Sequence, residues 1–427
     1  MPAAFSARDR VTCLLLVLGS LLLFLPYLEF PNDYNFDEMH YAIAAKVLVP
    51  PHHNLNWEHP PLAKYLIGLG IRLAGDRPVG WRLASMLFGG IAVAGMYALA
   101  LAIFRERRLA LWVAALTLLN IMLFVLARTA MLEPFFFAFL VWGLACVCFA
   151  WDERRPPAEV RRWLLAAGAL FGLSAACKWV GLVPLIFLVL AFGIVRLLQR
   201  FGAGLFHAPP ETPDPWYSAH LWPGVRWTTI AACVLLAVAL YFATFLPYLW
   251  LPGEAGTVKD IFVLQRDMVR MQSRISEQHY YASNWYQWAL DWKPMWFYYR
   301  VQDGWFRGIL LIGNPVILFP GLAAALFCVW AWWRHRSREA FLCALWYWLL
   351  YLCFAVIPRK VSFFHYYLPA ACMLSLPLAY VFRHYGGAPL FRVAWGRWAY
   401  LALAALAFAL FYSVLVGLPL PPTFTPQ

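Results

Sequence analysis

Two adjacent carboxylates follow the first long apolar run of the sequence. Asp37 and Glu38 open a segment that continues Met39-His40-Tyr41, in a chain of which only 13% of the residues are charged. On a helix beginning at Asp37, the side chains of Asp37, His40 and Tyr41 share one face, because residues three and four apart are neighbours. Such a face can simply be solvated. Two carboxylates in a chain so short of charge point instead to chemistry, and carboxylates are proton acceptors.

A set of cations has the residue types that hold a phosphate. Lys64 follows two prolines that permit a helix to begin, where free backbone N–H groups and a cation together favour an anion. The planar fork of an arginine also suits phosphate. These cations stand at the ends of apolar runs or in the short turns between them, and the candidates are Lys64, Arg82, Arg128, Arg359 and Lys360.

Two of these cations have other interpretations that the residues leave open. Lys64 can extend its ammonium group to the lipid headgroups. Arg128 can form a structural ion pair with Glu133, because unpaired charges at membrane depth are costly. Otherwise Glu133 contacts the substrate.

A second group of candidates is aromatic. A segment around Trp285 and Trp288 is dense in tryptophan and tyrosine, and His365 precedes two further tyrosines. Aromatic rings with hydrogen-bonding edges can stack on a sugar or hold a peptide, but they also rest at a membrane surface. We include Trp285, Trp288, His365, His40 and His59 as residues that position a substrate.

The elements that must carry these residues are membrane-spanning helices. Hydrophobic residues make up 63% of the chain, and a span needs about 20 consecutive, mainly apolar residues. We predict eleven spans in an all-α polytopic membrane protein, with amphipathic helices in the first outer loop. The predicted spans are 11–28, 80–104, 109–127, 131–150, 163–177, 179–197, 226–247, 308–332, 340–357, 366–382 and 398–417.

The distribution of arginine sets the predicted orientation. Arginines cluster in alternate connecting segments, beginning with Arg8 and Arg10, and such segments stay in the cytoplasm. No small-residue cleavage site follows the first apolar run, so we expect a retained span rather than a signal peptide. The protein is predicted to sit in the inner or plasma membrane with a cytoplasmic N-terminus. The candidate site and the C-terminus then lie on the extracytoplasmic face.

The chain divides into two predicted membrane modules, 1–197 and 226–417. A proline-rich cytoplasmic linker, 198–225, joins them, and a long outer loop, 248–307, belongs to the second module. Residues 418–427 form an outer tail that we expect to be unstructured. The net charge of +13 reflects the basic inner loops, so we expect no nucleic-acid partner. The nine cysteines all fall in apolar runs and predict neither disulfides nor a metal site.

The order of the motifs resembles the protein O-mannosyltransferases. The resemblance spans about residues 30–375. Phe36 to Tyr41 is similar to that family's luminal Asp-Glu motif, and His59 to Lys64 to its His-Pro-Pro-Leu-Gly-Lys, with Ala63 replacing the usual glycine. His279 to Tyr298 followed by Gly313-Asn314-Pro315, and His365 to Pro369, resemble two later family segments. Ala289 stands where a proline is common.

The resemblance implies a GT-C glycosyltransferase fold and a hexosyltransferase reaction. The implied donor is a polyprenyl- or dolichyl-phosphate mannose, and the implied acceptor is a Ser or Thr hydroxyl of an exported protein, modified with inversion. Asp37 takes the role of general base and Glu38 orients it or the acceptor. The second outer loop is too short for the MIR domain of eukaryotic members, which suggests a bacterial-type enzyme. Mg²⁺ or Mn²⁺ is conceivable beside Asp37, Glu38 and His40, but the ligand set is sparse and we predict no firm cofactor.

Two other functions stay open at this point. A GT-C enzyme that acts on a lipid or glycan, such as an aminoarabinose transferase of lipid A, would share the carboxylates and cations. A flippase or transporter of lipid-linked sugars would instead place charges near the membrane midplane and break its helices in pairs. The candidate charges here lie at the outer ends of predicted spans, and the sequence has no internal repeat.

Overall fold

The computed structural model describes residues 5–49, 55–152, 155–200, 225–251, 257–274, 279–357, 359–385 and 394–421. Most of these residues are helical. The α-helices are α1 Ala7–Phe24, α2 Glu38–Leu48, α3 Leu62–Ala74, α4 Pro78–Phe104, α5 Arg107–Leu118, α6 Ile121–Ala127, α7 Glu133–Ala150, α8 Pro157–Cys177, α9 Val183–Arg200, α10 Trp227–Ala243, α11 Val258–Arg274, α12 Trp285–Trp288, α13 Pro315–His335, α14 Arg338–Val356, α15 Leu368–Met373, α16 Ser375–His384 and α17 Ala394–Val416. Short 3-10 turns cover Trp179–Leu182, Leu246–Trp250 and Phe364–Tyr367.

One β-hairpin interrupts the helical fold. Strands β1, Met295–Gln302, and β2, Trp305–Leu311, pair antiparallel. Asp303 and Gly304 between them both have positive φ, 51° and 75°, as a two-residue type I′ turn requires. The hairpin is a local exception to the predicted all-α fold, and the span predicted to begin at residue 308 begins as helix α13 at Pro315.

Eight of the described helical segments are long and apolar enough to cross a membrane, or nine if the bent pair α5 and α6 counts as one span. Eight of the eleven predicted spans match these segments, and the other three, 11–28, 109–127 and 366–382, lie on shorter or bent helices. The predicted span 11–28 corresponds to the shorter α1, whose 18 residues include Arg8, Asp9 and Arg10. The predicted span 366–382 is divided between α15 and α16. The eight segments are Pro78–Phe104, Glu133–Ala150, Pro157–Cys177, Trp179–Leu197, Trp227–Trp250, Pro315–His335, Arg338–Val356 and Gly396–Val416.

Helices α4 and α7 form the centre of the core and are buried along most of their length. Small residues let the helices approach closely, as is usual between helices in a membrane. A Cβ added at Gly89 of α4 would lie 2.5 Å from the Cβ of Ala127. One added at Gly172 of α8 would lie 2.5 Å from the carbonyl oxygen of Ala237 in α10.

Several of the predicted site residues lie in the two outer loops. The first contains α2 and α3, which confirms the prediction of helices in this loop. α3 is amphipathic, because Ala63, Lys64 and Ile67 are buried whereas Leu69 and Leu73 are exposed. The second contains α11, α12 and the hairpin.

The last described residues of the chain pair with strand β2 through their backbone. The N–H of Phe306 donates to the carbonyl of Leu420, and the N–H of Leu420 donates back, at 2.9 and 2.8 Å. The expectation of an unstructured tail from residue 418 was therefore wrong up to residue 421, and residues 422–427 lie outside the described part. Most of the predicted linker 198–225 also lies outside it, although α9 extends to Arg200.

Candidate active site

Asp37 stands at the N-cap of α2, but its carboxylate does not cap the helix. The backbone carbonyl of Asp37 accepts hydrogen bonds from the N–H groups of His40 and Tyr41 at 2.9 and 3.1 Å. The helix therefore begins without help from the side chain. The carboxylate is left within hydrogen-bonding range of the Tyr41 hydroxyl.

The surroundings of Asp37 make it a stronger base than an exposed carboxylate. Burial raises its pKa to about 7, and the nearby carboxylate of Glu133 adds to the shift. Lys178, the Tyr41 hydroxyl and Arg359 oppose it. A general base works best when its pKa lies near the working pH, because it is then both available and basic enough to take a proton.

Glu38 has a different environment, although it is the next residue. Both of its carboxylate oxygens accept from Arg82, with Nε to Oε1 and Nη2 to Oε2 each at 2.8 Å. The backbone N–H groups of Ala130 and Asn35 complete its shell at 2.8 and 2.9 Å. Glu38 is fully buried and points to no open space. These contacts give Glu38 a structural role that fixes α2 against α4 and the turn before α7. Its predicted part in the reaction, orienting Asp37 or the acceptor, stays a prediction.

The guanidinium group of Arg82 is hydrogen-bonded within the same cluster. Besides Glu38 it donates to the carbonyls of Leu28 and Asp33, at 2.7 and 3.3 Å, and it is 1% exposed. In the structure the fork of Arg82 binds a carboxylate of the protein. The phosphate contact of Arg82 stays a prediction, without support from these contacts.

Lys64 is also used by the protein. Its ammonium group donates to the carbonyls of Asn56 and His59, at 2.5 and 3.0 Å, and the residue is fully buried. Burial lowers the pKa of Lys64 to about 7. Lys64 thus secures the loop that brings His59 against Tyr41, whose rings lie 5.8 Å apart. Neither the predicted phosphate contact nor the headgroup alternative fits this burial.

Arg128 holds the end of the first helix. Its guanidinium group donates to the carbonyls of Phe24 and Pro26 and lies 5.0 Å from the centre of the Phe124 ring. The carbonyls at a helix C-terminus lack partners within the helix, so a cation there is stabilising. The predicted pair of Arg128 with Glu133 was wrong, because Glu133 pairs with Lys178. The phosphate contact of Arg128 stays a prediction.

Glu133 pairs with a different cation. Its Oε1 accepts from the ammonium group of Lys178, and the Nε2 of His365 lies 3.6 Å from the same oxygen. Glu133, Lys178 and His365 are all buried, and the second carboxylate oxygen of Glu133 and the Nδ1 of His365 have no partner among the described residues. Buried polar atoms of this kind need an explanation, and a ligand is one.

Two cations lie beside this network and beside Asp37. The ammonium group of Lys178 lies 3.9 Å from the ring centre of Tyr366, and the guanidinium group of Arg359 lies 4.8 Å from it. Arg359 is partly exposed and donates through Nε to the carbonyl of Val361, 3.0 Å away. Lys360 is exposed. Of the predicted cations, the structure therefore brings only Arg359 to Asp37, and it adds Lys178.

Sequence reasoning did not connect Lys178 with Glu133, which lies 45 residues earlier. The available signal was a lone cation in the turn between two apolar runs.

The remaining predicted residues surround the cluster. Trp288 is 1% exposed and donates through its indole N–H to the Ser283 hydroxyl at 3.0 Å, so its observed role is in packing. Trp285 is partly buried, 5.5 Å from the ring of Tyr351. His40 is exposed at the surface.

No group of three His, Cys, Asp or Glu residues in the described part of the chain could hold a metal ion.

Comparison with known proteins agrees with the motif order. The model of the family described as dolichyl-phosphate-mannose-protein mannosyltransferase matches residues 75–251. A polyprenol-phosphate-mannose–protein mannosyltransferase of Mycolicibacterium smegmatis (strain MKD8) is 26% identical and is matched over 99% of this chain and 93% of its own length.

Two solved structures share the fold. The structure of the S. cerevisiae protein O-mannosyltransferase Pmt1-Pmt2 complex bound to the sugar donor superposes with a TM-score of 0.75 at 12% identity, covering 98% of this chain and 91% of the other. The crystal structure of ArnT from Cupriavidus metallidurans bound to undecaprenyl phosphate gives 0.60 at 15% identity, over 96% and 77%. The predicted GT-C fold is confirmed. With the ordered motifs and the helical membrane architecture, the chain is similar in sequence to the dolichyl-phosphate-mannose-protein mannosyltransferases and shares their membrane fold.

Proposed function

We propose that the protein transfers a mannosyl residue from a polyprenyl-phosphate carrier to Ser or Thr hydroxyls of exported proteins. The observation that carries the proposal is the free carboxylate of Asp37, with its pKa raised to about 7, beside the cations Lys178 and Arg359. The names of the sequence relatives support the carrier and the protein acceptor. The fold shared with a donor-bound mannosyltransferase supports the reaction class.

The proposed reaction is a single displacement at the anomeric carbon. Asp37 takes the proton of the acceptor hydroxyl as its oxygen bonds to C1 of the sugar from the face opposite the phosphate. The bond between C1 and the phosphate oxygen breaks, and its electron pair leaves with the polyprenyl phosphate. Attack from the opposite face inverts the anomeric configuration. The leaving phosphate is already an anion, so it needs no protein acid.

Lys178 and Arg359 are the proposed partners of that phosphate. Cations fixed where negative charge develops stabilise the transition state more than they stabilise the substrate. Their positions beside the Tyr366 ring support this assignment. Lys178 also shares Glu133 with His365, so phosphate binding and the neighbouring polar network are coupled.

The polar atoms without partners have a proposed role as well. The free carboxylate oxygen of Glu133 and the Nδ1 of His365 are buried near the base and the cations. Sugar hydroxyls both donate and accept hydrogen bonds, so they are suitable partners for both atoms. We assign Glu133 and His365 to the transferred sugar.

The proposed orientation places this cluster on the extracytoplasmic face. Arginine-rich segments such as those at Arg8 and Arg10 favour a cytoplasmic N-terminus. The first and second outer loops, which provide Asp37 and the hairpin, then lie on the opposite face, where exported acceptors pass.

The second candidate is transfer to a lipid or glycan acceptor. Its support is the fold shared with ArnT, at a TM-score of 0.60. The carboxylate and the two cations would serve either acceptor.

The test is transfer in proteoliposomes with a labelled polyprenyl-phosphate mannose and a Ser/Thr-containing peptide. Asp37→Asn should lower transfer by about 10²–10⁴-fold, the usual contribution of a general base, while leaving the protein folded. Asp267→Asn, on the exposed face of α11 in the second outer loop, is the matched control and should keep normal transfer. Near-normal transfer by Asp37→Asn would refute the assignment of the base. Transfer to lipid A but to no peptide would favour the second candidate.

A further inference from the structure

A second cleft lies on the outer surface next to the candidate active site. It lies between residues 29–33 of the first outer loop and one face of the β-hairpin, and has a volume of about 400 Å³. Its walls include aromatic rings and charges of both signs, contributed by Glu29, Phe30, Asp33, Tyr298, Arg300 and Arg307. None of these residues takes part in the reaction described above.

One of the two cations of this cleft has no ion-pair partner among the described residues. Arg300 and Arg307 are directly opposite each other in the hairpin register, where like charges destabilise a strand pair. Arg300 has a carboxylate neighbour, Asp33, at 3.7 Å. Arg307 has no ion-pair partner among the described residues, and its Nε is buried without an acceptor. An anion in the cleft would satisfy Arg307 and remove the repulsion.

Neither carboxylate of the cleft forms an ion pair with Arg307. Asp33 faces Arg300, and Glu29 lies 3.8 Å from Arg77 on the outside of the loop. The guanidinium group of Arg307 instead lies 4.5 Å from the ring centre of Phe30. An arginine held flat on a ring keeps its edge free for a bidentate contact with a carboxylate.

The cleft is close to Asp37 along strand β1. Phe297 stacks on Phe36, next to Asp37, at 4.7 Å, whereas the following residue, Tyr298, packs against Phe30 at 5.2 Å. The two ring pairs thus belong to consecutive residues of β1, at a point where the pairing register shifts between Trp296 and Tyr298. At about 3.3 Å per residue, an extended polypeptide of about six residues reaches on the order of 20 Å, more than enough to pass from one ring pair to the other.

We propose that this cleft binds the acceptor polypeptide and seats an acidic side chain on Arg307. The acidic residue lies within about six positions of the modified Ser or Thr. The inference rests on the proposed function and adds an acceptor preference to it. A polypeptide fits better than a lipid headgroup, because the rim residues Glu29, Asp33 and Arg300 have side chains more than 60% exposed and would face the acyl chains of a lipid.

The test uses the full chain in nanodiscs of phosphatidylcholine and two series of peptides. Each series carries one Thr and steps a single Asp, or an Asn in its place, through the six positions on either side. For wild type, one Asp position should lower the KM at least tenfold relative to Asn. Arg307→Gln should remove that difference without changing kcat or the donor KM. Arg270→Gln, an exposed cation of α11, is the matched control and should keep the preference.

Three outcomes would overturn the proposal. The first is an Asp preference that persists in Arg307→Gln, and the second is a loss that is equal for the Asp and Asn peptides. The third is that Arg307→Gln changes peptide binding by protein in phosphatidylglycerol nanodiscs but not by protein in phosphatidylcholine nanodiscs. That result would make the occupant of the cleft a lipid headgroup. Peptide binding, read by fluorescence polarisation without donor, separates this inference from the proposed function. An Asp preference in binding that depends on Arg307 supports the cleft even if no transfer occurs.

Discussion

Replacing Glu38 with Gln separates two roles for the carboxylate that follows Asp37. If Glu38 takes part in the reaction, the variant should fold normally and turn over slowly. If Glu38 holds the site together, the variant should be unstable first, and inactive as a result. The structure supports the second role, because Arg82, Ala130 and Asn35 satisfy both carboxylate oxygens and Glu38 is fully buried.

The size of the effect follows from the contacts. Glutamine has the shape of glutamate but replaces one acceptor oxygen with an NH₂ group. Two of the four hydrogen bonds are then lost whichever way the amide turns, because the NH₂ faces one nitrogen of Arg82 and one backbone N–H. The guanidinium group of Arg82 stays buried without its counter-charge. Breaking a buried ion pair on one side costs about 3–5 kcal/mol.

Thermal unfolding of the detergent-solubilised protein measures this loss. On the scale of domains of 150–250 residues, the apparent Tm should fall by on the order of 5 °C or more. Asp76→Asn is the matched control, because Asp76 and Lys46 join the same region of the protein through a partly exposed pair at 2.6 Å. That pair contributes about 0–1 kcal/mol. The reasoning fails if Glu38→Gln unfolds at the wild-type temperature, or if Asp76→Asn is equally destabilised.

The other predictions concern Asp37 and Lys64. With the pKa of Asp37 at about 7, kcat/KM should fall tenfold per pH unit below that value, which a pH profile of transfer measures. The pKa of an aspartate in the unfolded chain is its ordinary 3.8, so between pH 3.8 and about 7 the folded protein holds a proton that the unfolded chain loses. Stability therefore falls as pH rises through that range. Asp37→Asn should therefore raise the apparent Tm above pH 7 but not near pH 4, and an equal shift at both would contradict the raised pKa. Lys64→Met should cost about 1–3 kcal/mol in unfolding experiments, because the carbonyls of Asn56 and His59 lose their donor. Lys46→Met, at a partly exposed lysine, should cost less than about 1 kcal/mol, and equal losses would contradict the role of Lys64.

The sequence was sufficient to single out Asp37 as a candidate, and the structure places it in a cluster with Glu133, Lys178 and Arg359. Asp37 stands out because charged residues are scarce in this apolar chain. Each charged residue near an apolar run therefore needs a structural or a functional explanation. The same scarcity could not distinguish a cation that binds a ligand from one that binds the protein. Arg82 finds its partner 44 residues earlier and Arg128 finds carbonyls more than 100 residues earlier, at positions set by helix packing.

Two architectural errors have local physical causes. The apolar stretch 366–382 is long enough for a span, but hydropathy does not register the break between α15 and α16. The hairpin had a sequence signal in Asp303-Gly304, flanked by aromatic and β-branched residues, which is typical of a type I′ turn. The many aromatic residues around this turn favoured a different interpretation, in which the segment is a platform at the membrane surface.

The pairing of Leu420 with Phe306 affects how the protein should be prepared for study. Phe306 precedes Arg307 on the same strand, so a force on the last described residues acts directly on one wall of the second cleft. A domain or affinity tag fused after residue 421 would pull on two backbone hydrogen bonds and compete with peptides for space. Purification handles therefore belong ahead of Ala7, and acceptor affinities measured on C-terminal fusions should be weaker than those of the unfused chain.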